Sequence, residues 1–523
     1  MKMENFEATE SGILLDRRQV IGGASAVGLG AMLGAGPALA QGAPKKGGTL
    51  RLGMEGGSPS DSLDPRTYAD SIPIMYSLMF WNMLIEIDNS GKPVGELAES
   101  WEVKPGAKEW TFNLRKGITF TSGKTFDADD AIYSIGLHRG ETKSPAKSLL
   151  ESITEIKKLS ANQIQFVLKD GNADFPAVLS DYHLIMVPAG TTDFSKPDGT
   201  GAFTLAEWQP GTRVVGKRKS GEYWKKGRGH FDTVEIRYII DAAARSQALQ
   251  TGQVDAINRV NPKTVELLAK NSKLGINRTK GAGNRFAFVA HVDTAPYNNK
   301  DVMLGLKYAI DREKIVKNVW SGYATVGKDH TIGPAIQYHD NNLKAKAYDP
   351  DKAKFHFKKA GFSGPFELQT SDGAFSGAVD AALVFQESAK KAGVDLQVKK
   401  VSGDGYWDNV WLKAPFCAVY WGNRPTADLA VSQTFMSTAA WNDTRYRSEK
   451  FDNLVRAARV ETDDKKRAQM YSEVQRMIAD EAGMICFAIG DAMDAYNKKL
   501  QGLVPHARYD MNDQRLPEKG WFA

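Results

Sequence analysis

The stretch YWGNRPTADLA, from Tyr420 to Ala430, sets an arginine, Arg424, between an apolar run ending in Trp421 and a proline, with Asp428 four residues on. A guanidinium is a planar fork of donors that meets a carboxylate through two parallel hydrogen bonds. Two uses are open for it. Arg424 clamps a carboxylate from outside the chain, or it pairs internally, most simply with Asp428. Aromatic residues collect around the same stretch: Tyr406, Trp407, Trp411, Tyr420, Trp421 and Trp441, in a chain with eleven tryptophans. Small-molecule pockets need flat apolar walls with a few placed polar groups. Such rings also serve as plain core, the reading preferred for Trp411.

Other chemistry finds little support. The eight histidines are scattered and form no H-E-x-x-H pair, so no metal is expected, and no cofactor either. SPAK at Ser144 fits S-x-x-K without its partner motifs. GAGNR at Gly281 lacks the third glycine of a dinucleotide fingerprint, and GDG at Gly403 reads as a turn. Carboxylates are plentiful, but none is singled out as an acid/base pair. The chain therefore does not read as an enzyme. Cys417 and Cys486 sit inside apolar runs, PFCAVYW and MICFAIG. They are either two buried thiols or one disulfide between neighbouring strands.

A chain of 523 residues is too long for one core, so two or three domains must position these groups. Hydrophobic residues make up 42% and charged residues 25%, an ordinary globular balance. The net charge is +6, and no dense basic stripe interleaves with aromatics, which excludes nucleic acid as an expected partner. The first forty residues stand apart. Arg17 and Arg18 are followed by an uncharged, Gly/Ala-rich run that closes with ALA at Ala40. A basic region, a weakly apolar stretch and a small-residue cleavage site make an export signal, and adjacent arginines suggest the twin-arginine type. The processed chain would carry 65 basic against 58 acidic residues and no lipid-accepting cysteine near the cut.

Beyond that segment, GGTLRLGM alternates and reads as a first strand. SIPIMYSLMFWNMLIEID follows with Ile74, Leu78, Met79 and Met83 at helical spacing. Trp110, Phe112 and Leu114 alternate, Gly117 interrupts, and Ile118 and Phe120 follow, a hairpin-like pattern. The aspartates of FDADDAIYSI supply a helix N-cap and first-turn acids. Val302, Leu306 and Ile310 mark one later helix, and Phe451, Leu454 and Val455 another. Asp463 or Asp464 caps a third that turns Tyr471, Val474 and Ile478 inward. Strands alternating with helices make an α/β protein.

Four blocks then carry a resemblance: Trp101 to Ser134, GTGAFTLAEWQPGTRV from Gly199, VMLGLKYAIDREKIV from Val302, and the long run from Ser448 to Asp491. In order, they resemble the family 5 extracellular solute-binding proteins, the peptide, opine and nickel-type receptors of ABC importers. The resemblance implies a two-lobed, type II periplasmic-binding-protein fold with an extra subdomain in the first lobe. The first lobe would comprise residues 47–80, 197–289 and 490–523, its extra subdomain 81–196, and the second lobe 290–489. In dipeptide-type members an aspartate shortly after the strand-ending tryptophan captures the ligand's ammonium group. Arg424 stands about where that acid is expected, which turns the preference toward a ligand carboxylate. The candidate solute-contacting residues are Arg424, Trp421, Asp428, Tyr68, Trp407, Trp441, Asn442 and Asn284. The implied partners are a small peptide-like or opine-like solute and an inner-membrane ABC permease, with the protein acting as a periplasmic monomer. A hydrolase on the same fold, or a receptor for an oligosaccharide, haem or a nickel chelate, is the alternative.

Overall fold

The structure, a computed structural model, describes residues 44–523 apart from 69, 404 and 405. The export signal read over residues 1–40 lies outside the described residues. Alternation in TLRLGM turns Leu50, Leu52 and Met54 inward, and this strand, Thr49–Met54, lies inside a seven-stranded sheet. The order across that sheet is Leu274–Thr279, Ala492–Asn497, Ala256–Ile257, Thr49–Met54, Thr233–Tyr238, Arg213–Arg218, Phe203–Gln209. The second sheet has six strands: Ala324–Val326, Met484–Gly490, Arg285–Ala290, Phe416–Trp421, Phe366–Thr370 and Leu396–Lys400. All seven residues of Met484–Gly490 are buried, as a continuous apolar run with both faces covered requires. These two sheets, with helices packed on them, are the two lobes.

A separate four-stranded antiparallel sheet runs Ala98–Val103, Glu109–Leu114, Gln163–Leu168, Ile153–Ser160 and has its own core around Trp110, Phe112 and Phe166. Here two sequence expectations need correction. Strand Glu109–Leu114 pairs back with Ala98–Val103, not forward with Ile118 and Phe120, which join no strand. The helix expected to reach Met83 ends at Phe80, and Ile85–Ile87 is a strand. All ten residues of Ser71–Phe80 are buried, so apolar content could not mark where it stops. The caps fare as expected. Asp127 closes a capping box with Asp130, and Asp463 accepts from the amides of Lys465 and Lys466.

The chain passes between the two large sheets twice, from Thr279 to Arg285 and from Gly490 to Ala492. The two crossings are tied to each other. The Gly283 N–H donates to the Gly490 carbonyl at 2.8 Å, and the Gly490 N–H to the Asn284 carbonyl at 2.9 Å. A Cβ on Gly283 would stand 2.7 Å from that Gly490 carbonyl oxygen, so only glycine permits the approach. Arg278 pairs with Asp491 beside it.

The C-terminal segment returns to the first lobe and is locked there by charge. Arg515, fully buried, donates to both oxygens of Glu96 at 2.8 and 2.9 Å and to Glu518 at 2.9 Å. Lys225 reaches Glu86, Glu96 and Glu518, Arg228 reaches Glu86 and Glu518, and Lys519 reaches Glu86. Three carboxylates and four cations thus satisfy one another in the interior. Although burial alone would raise Glu518, its cationic neighbours hold its carboxyl at about 2.

Cys417 and Cys486 are free and buried. They lie on the strands flanking Arg285–Ala290, opposite Val289 and Ala287 respectively. A whole strand between them leaves roughly 9–10 Å, too far for a disulfide.

Candidate functional site

Arg424 sits in the loop that leaves strand Phe416–Trp421, and Arg285 is the register partner of Trp421 across the sheet. The loop therefore emerges beside the crossings, where the two lobes meet. Arg424 Nε donates to Gln433 Oε1 at 2.8 Å, and the guanidinium lies 6.0 Å from the Trp421 ring centre, within cation–π range. Among the described residues no carboxylate lies within ion-pair distance of Arg424. Its pairing with Asp428 does not occur: Asp428 turns away, and Arg459 Nε donates to its two oxygens at 3.0 and 3.1 Å. Burial draws the Arg424 guanidinium below its usual range, while the phenols of Tyr509 and Tyr420 pull it back up. Its partners are neutral oxygens alone.

The opposite lobe closes over this loop through the C-terminal segment. Asn423 Nδ2 donates to the Ala507 carbonyl at 3.1 Å, bridging the two lobes. Tyr509 follows, held by an unusual turn in which Met511, Asn512, Asp513 and Gln514 all adopt positive φ, from 51 to 63°. Left-handed conformation costs such residues roughly 1–2 kcal/mol each, and each is anchored. Asp494 accepts from the Met511 amide at 3.0 Å, Asn512 donates to the Gly502 carbonyl at 2.8 Å, Arg508 donates to Asp513, and Gln514 donates to Asp510. Strain held in this way fixes the lobe I side of the junction.

Trp407, Trp421 and Trp441 come together with Trp411 as one aromatic cluster, ring centres 5.6 to 6.4 Å apart along its contacts. Trp441 is 47% exposed and Tyr420 40%, so the cluster has an open side. Beneath it lies Asp443, fully buried, whose Oδ2 accepts from the indole N–H groups of both Trp411 and Trp421 at 3.1 Å. Its other oxygen has no partner among the described residues. Burial pushes this carboxyl up to about 7 against the pull of the two indoles.

The remaining candidates are placed elsewhere or committed to internal contacts. Asn284 is exposed at the crossing, with its carbonyl engaged by Gly490. Asn442 Nδ2 donates to the carbonyls of Phe435, Met436 and Tyr446 and so braces a turn. Tyr68 is buried in the first lobe, donating to the Leu63 carbonyl and packed edge-on to Tyr76. Gln433, Asn423, Asp443 and Tyr509 were not foreseen. Gln433 carried a local signal, since it lies two turns into the helix that follows the loop and faces back toward it. Tyr509 carried none, because only the fold brings the C-terminus here. Among the described residues no group of acidic, histidine and cysteine side chains could hold a metal.

Residues 92–443 match the family described as Bacterial extracellular solute-binding proteins, family 5 Middle, a span of more than half the chain. The chain belongs to that family. As a family 5 protein it binds solutes, and family members deliver small solutes to ABC permeases outside the cytoplasm. It is 26% identical over 492 residues to the glutathione-binding protein GsiB of Pectobacterium atrosepticum, covering 88% of this chain and 93% of that one. It is 26% identical over 505 residues to the dipeptide-binding protein of Escherichia coli, covering 86% and 90%. In fold it is similar to the ABC transporter-associated periplasmic binding protein DppA of Helicobacter pylori in complex with the peptide STSA. The TM-score is 0.71 at 23% identity, covering 91% of this chain and 98% of that one. Family 5 members are binding proteins and not enzymes. Among the described residues no helix is long and apolar enough to cross a membrane.

Proposed function

We propose that this family 5 protein is a periplasmic monomer that captures a carboxylate-bearing solute, peptide-like or opine-like, between its lobes. Arg424 would be the anion anchor and Trp421, with its aromatic neighbours, the wall. One observation carries the reading: Arg424 stands at the lobe junction, partly buried, with only neutral oxygens as partners, while the nearby Asp428 is taken by Arg459. A cation left so poorly compensated gains most from an incoming anion. The two similar proteins that bind glutathione and a dipeptide fit this, since both ligands end in carboxylates. Closure would be a hinge motion at the paired crossings, residues 280–284 and 490–491, with 285–489 moving against the rest, so that the second lobe starts at the strand Arg285–Ala290 and not at 290. The proposed division keeps 81–196 with the first lobe.

Mass spectrometry of the solute that co-purifies with the protein tests this. A carboxylate-bearing compound recovered intact is expected, and capping its carboxyl as the amide should abolish binding measured by calorimetry. A neutral sugar, or an amide that binds as well as the acid, would refute the anchor. For export we propose the twin-arginine route. Changing Arg17 and Arg18 together to lysine should leave folded precursor in the cytoplasm, and normal export of that variant would refute the assignment.

A further inference from the structure

A second junction between the lobes lies where the four-stranded subdomain meets the six-stranded lobe. Asp174 Oδ1 stands 2.6 Å from Arg467 Nη1, with side chains only 10% and 5% exposed. Next to them the Ala173 N–H donates to the Arg459 carbonyl at 2.8 Å, main chain to main chain across the junction. Arg467 is set in place by its own lobe. Its Nε donates to the Ala458 carbonyl at 2.9 Å, and its guanidinium lies over the rings of Tyr338 and Tyr471. Asp174 Oδ2 and Arg467 Nη2 have no partner among the described residues, so the pair uses one edge of the fork only. A crevice of about 360 Å³, lined by Trp101, Trp110 and Tyr338 among others, adjoins it, so both groups reach water if the junction opens.

This junction is wired to the Arg424 loop by a short path. Thr426 caps helix Ala427–Phe435, whose first turn carries Asp428. Asp428 holds Arg459, and the Arg459 carbonyl receives Ala173, the neighbour of Asp174.

We infer that Asp174 and Arg467 are positioning residues for solute capture, a latch by which the extra subdomain holds the second lobe closed. The inference rests on the two-lobe closure proposed above. If solute binds the closed form, apparent affinity scales with the closed fraction, so a latch sets affinity from outside the pocket.

Spin labels on Glu102→Cys in the subdomain and Lys465→Cys in the second lobe, both exposed positions, report the junction directly; Cys417 and Cys486 are buried. Pulsed dipolar spectroscopy on the solute-free chain should give a mainly short distance. Asp174→Asn should raise the ratio of long to short distances at least about thirtyfold, the lower end for breaking one side of a buried charge pair. Arg467→Gln should do the same, and the double variant should add little, because both remove one contact. Arg424→Ala should leave the distances unchanged, which separates loss of the latch from loss of the anion anchor. Unchanged distances in Asp174→Asn, a fall in melting temperature without a change in distances, or a wild-type chain already dominated by the long distance would each overturn the latch.

Discussion

The interior of the first lobe and the lobe junction both bury arginine, with opposite bookkeeping. Around Arg515 every cation finds carboxylates, and Glu86, Glu96 and Glu518 are shared among four of them. Around Arg424 and Arg285 there are none within ion-pair distance among the described residues. Arg285 is fully buried and, among the described residues, donates only to the Thr331 and Gly283 carbonyls and leaves Nη2 without a partner. Burial draws Arg285 down to about 10, and the charge on Arg424 adds to that. Removing charges from water is costly unless they are paired. A closed network therefore marks a place where charge holds the fold. An arginine pair with neutral oxygens as its partners is the arrangement that the proposed anion anchor requires.

The sharpest way to break this comparison is to cut the network at its centre. Arg515→Met leaves three buried carboxylates short of a partner, and the expected loss of stability is on the order of 3–5 kcal/mol. Urea denaturation at neutral pH measures it. A loss below about 1 kcal/mol, the range of surface pairs, would deny the network its structural role. The network also predicts the acid limb. Glu518 is held at about 2 and Glu86 well below its usual value, each by the cations around it and against the effect of burial. Below about pH 4.5 the unfolded chain takes up protons that these groups refuse, so stability falls as the pH drops from there toward 2. Arg515→Met should make that limb shallower.

The same cut at Arg424 should act on binding and spare the fold. With the co-purified solute as probe, Arg424→Ala should weaken calorimetric affinity by about 2–5 kcal/mol, while its denaturation midpoint implies a change within about 0.5 kcal/mol. Arg424→Lys should also lose affinity, because a point charge cannot reproduce the fork. If Arg424→Ala bound like wild type and unfolded more easily, the two regions would be alike after all, and the anchor reading would fall.

How much of this was legible in the sequence follows from the range of the forces involved. Caps announced themselves, as at Asp127 and Asp463, because a cap is decided within four residues. The α/β class could be read from strand and helix periods, and the loop now found at the lobe junction drew notice through one arginine in an apolar context. Arg424 with Asp428, and Trp110–Leu114 with Ile118–Phe120, were instead judged by nearness in sequence. In the fold their partners are 7 to 58 residues away: Gln433 for Arg424, Arg459 for Asp428, and Gln163–Leu168 with Ala98–Val103 for the strand. Asn442 and Tyr68 had no signal against them, since an amide bracing a turn and an amide facing a solute look the same in one dimension.

The smallest effect tests the fine structure of the junction, at Asp443. This carboxylate is neither networked nor exposed. The groups that face it are the indoles of Trp411 and Trp421 and the Cys417 thiol, itself pushed above its ordinary value by burial and by the charge on Asp443. No cation stands among them. Because burial raises its carboxyl to about 7, the folded chain keeps a proton that the unfolded chain gives up from about pH 4 upward. Its contribution to stability therefore declines as the pH rises from about 4 to about 7 and then stays flat, opposite in sign to the acid limb of the network. Asp443→Asn should remove that slope and gain on wild type between pH 5 and pH 8 in melting temperature. Asp494 is also raised by burial, so melting alone leaves part of the slope in place. Tryptophan fluorescence is more specific, because both hydrogen-bonded indoles sense the proton. Wild type should show a fluorescence transition centred near pH 7, and Asp443→Asn should abolish it. A transition that survives in the variant would place the titrating group elsewhere and leave the floor of the aromatic cluster indifferent to pH.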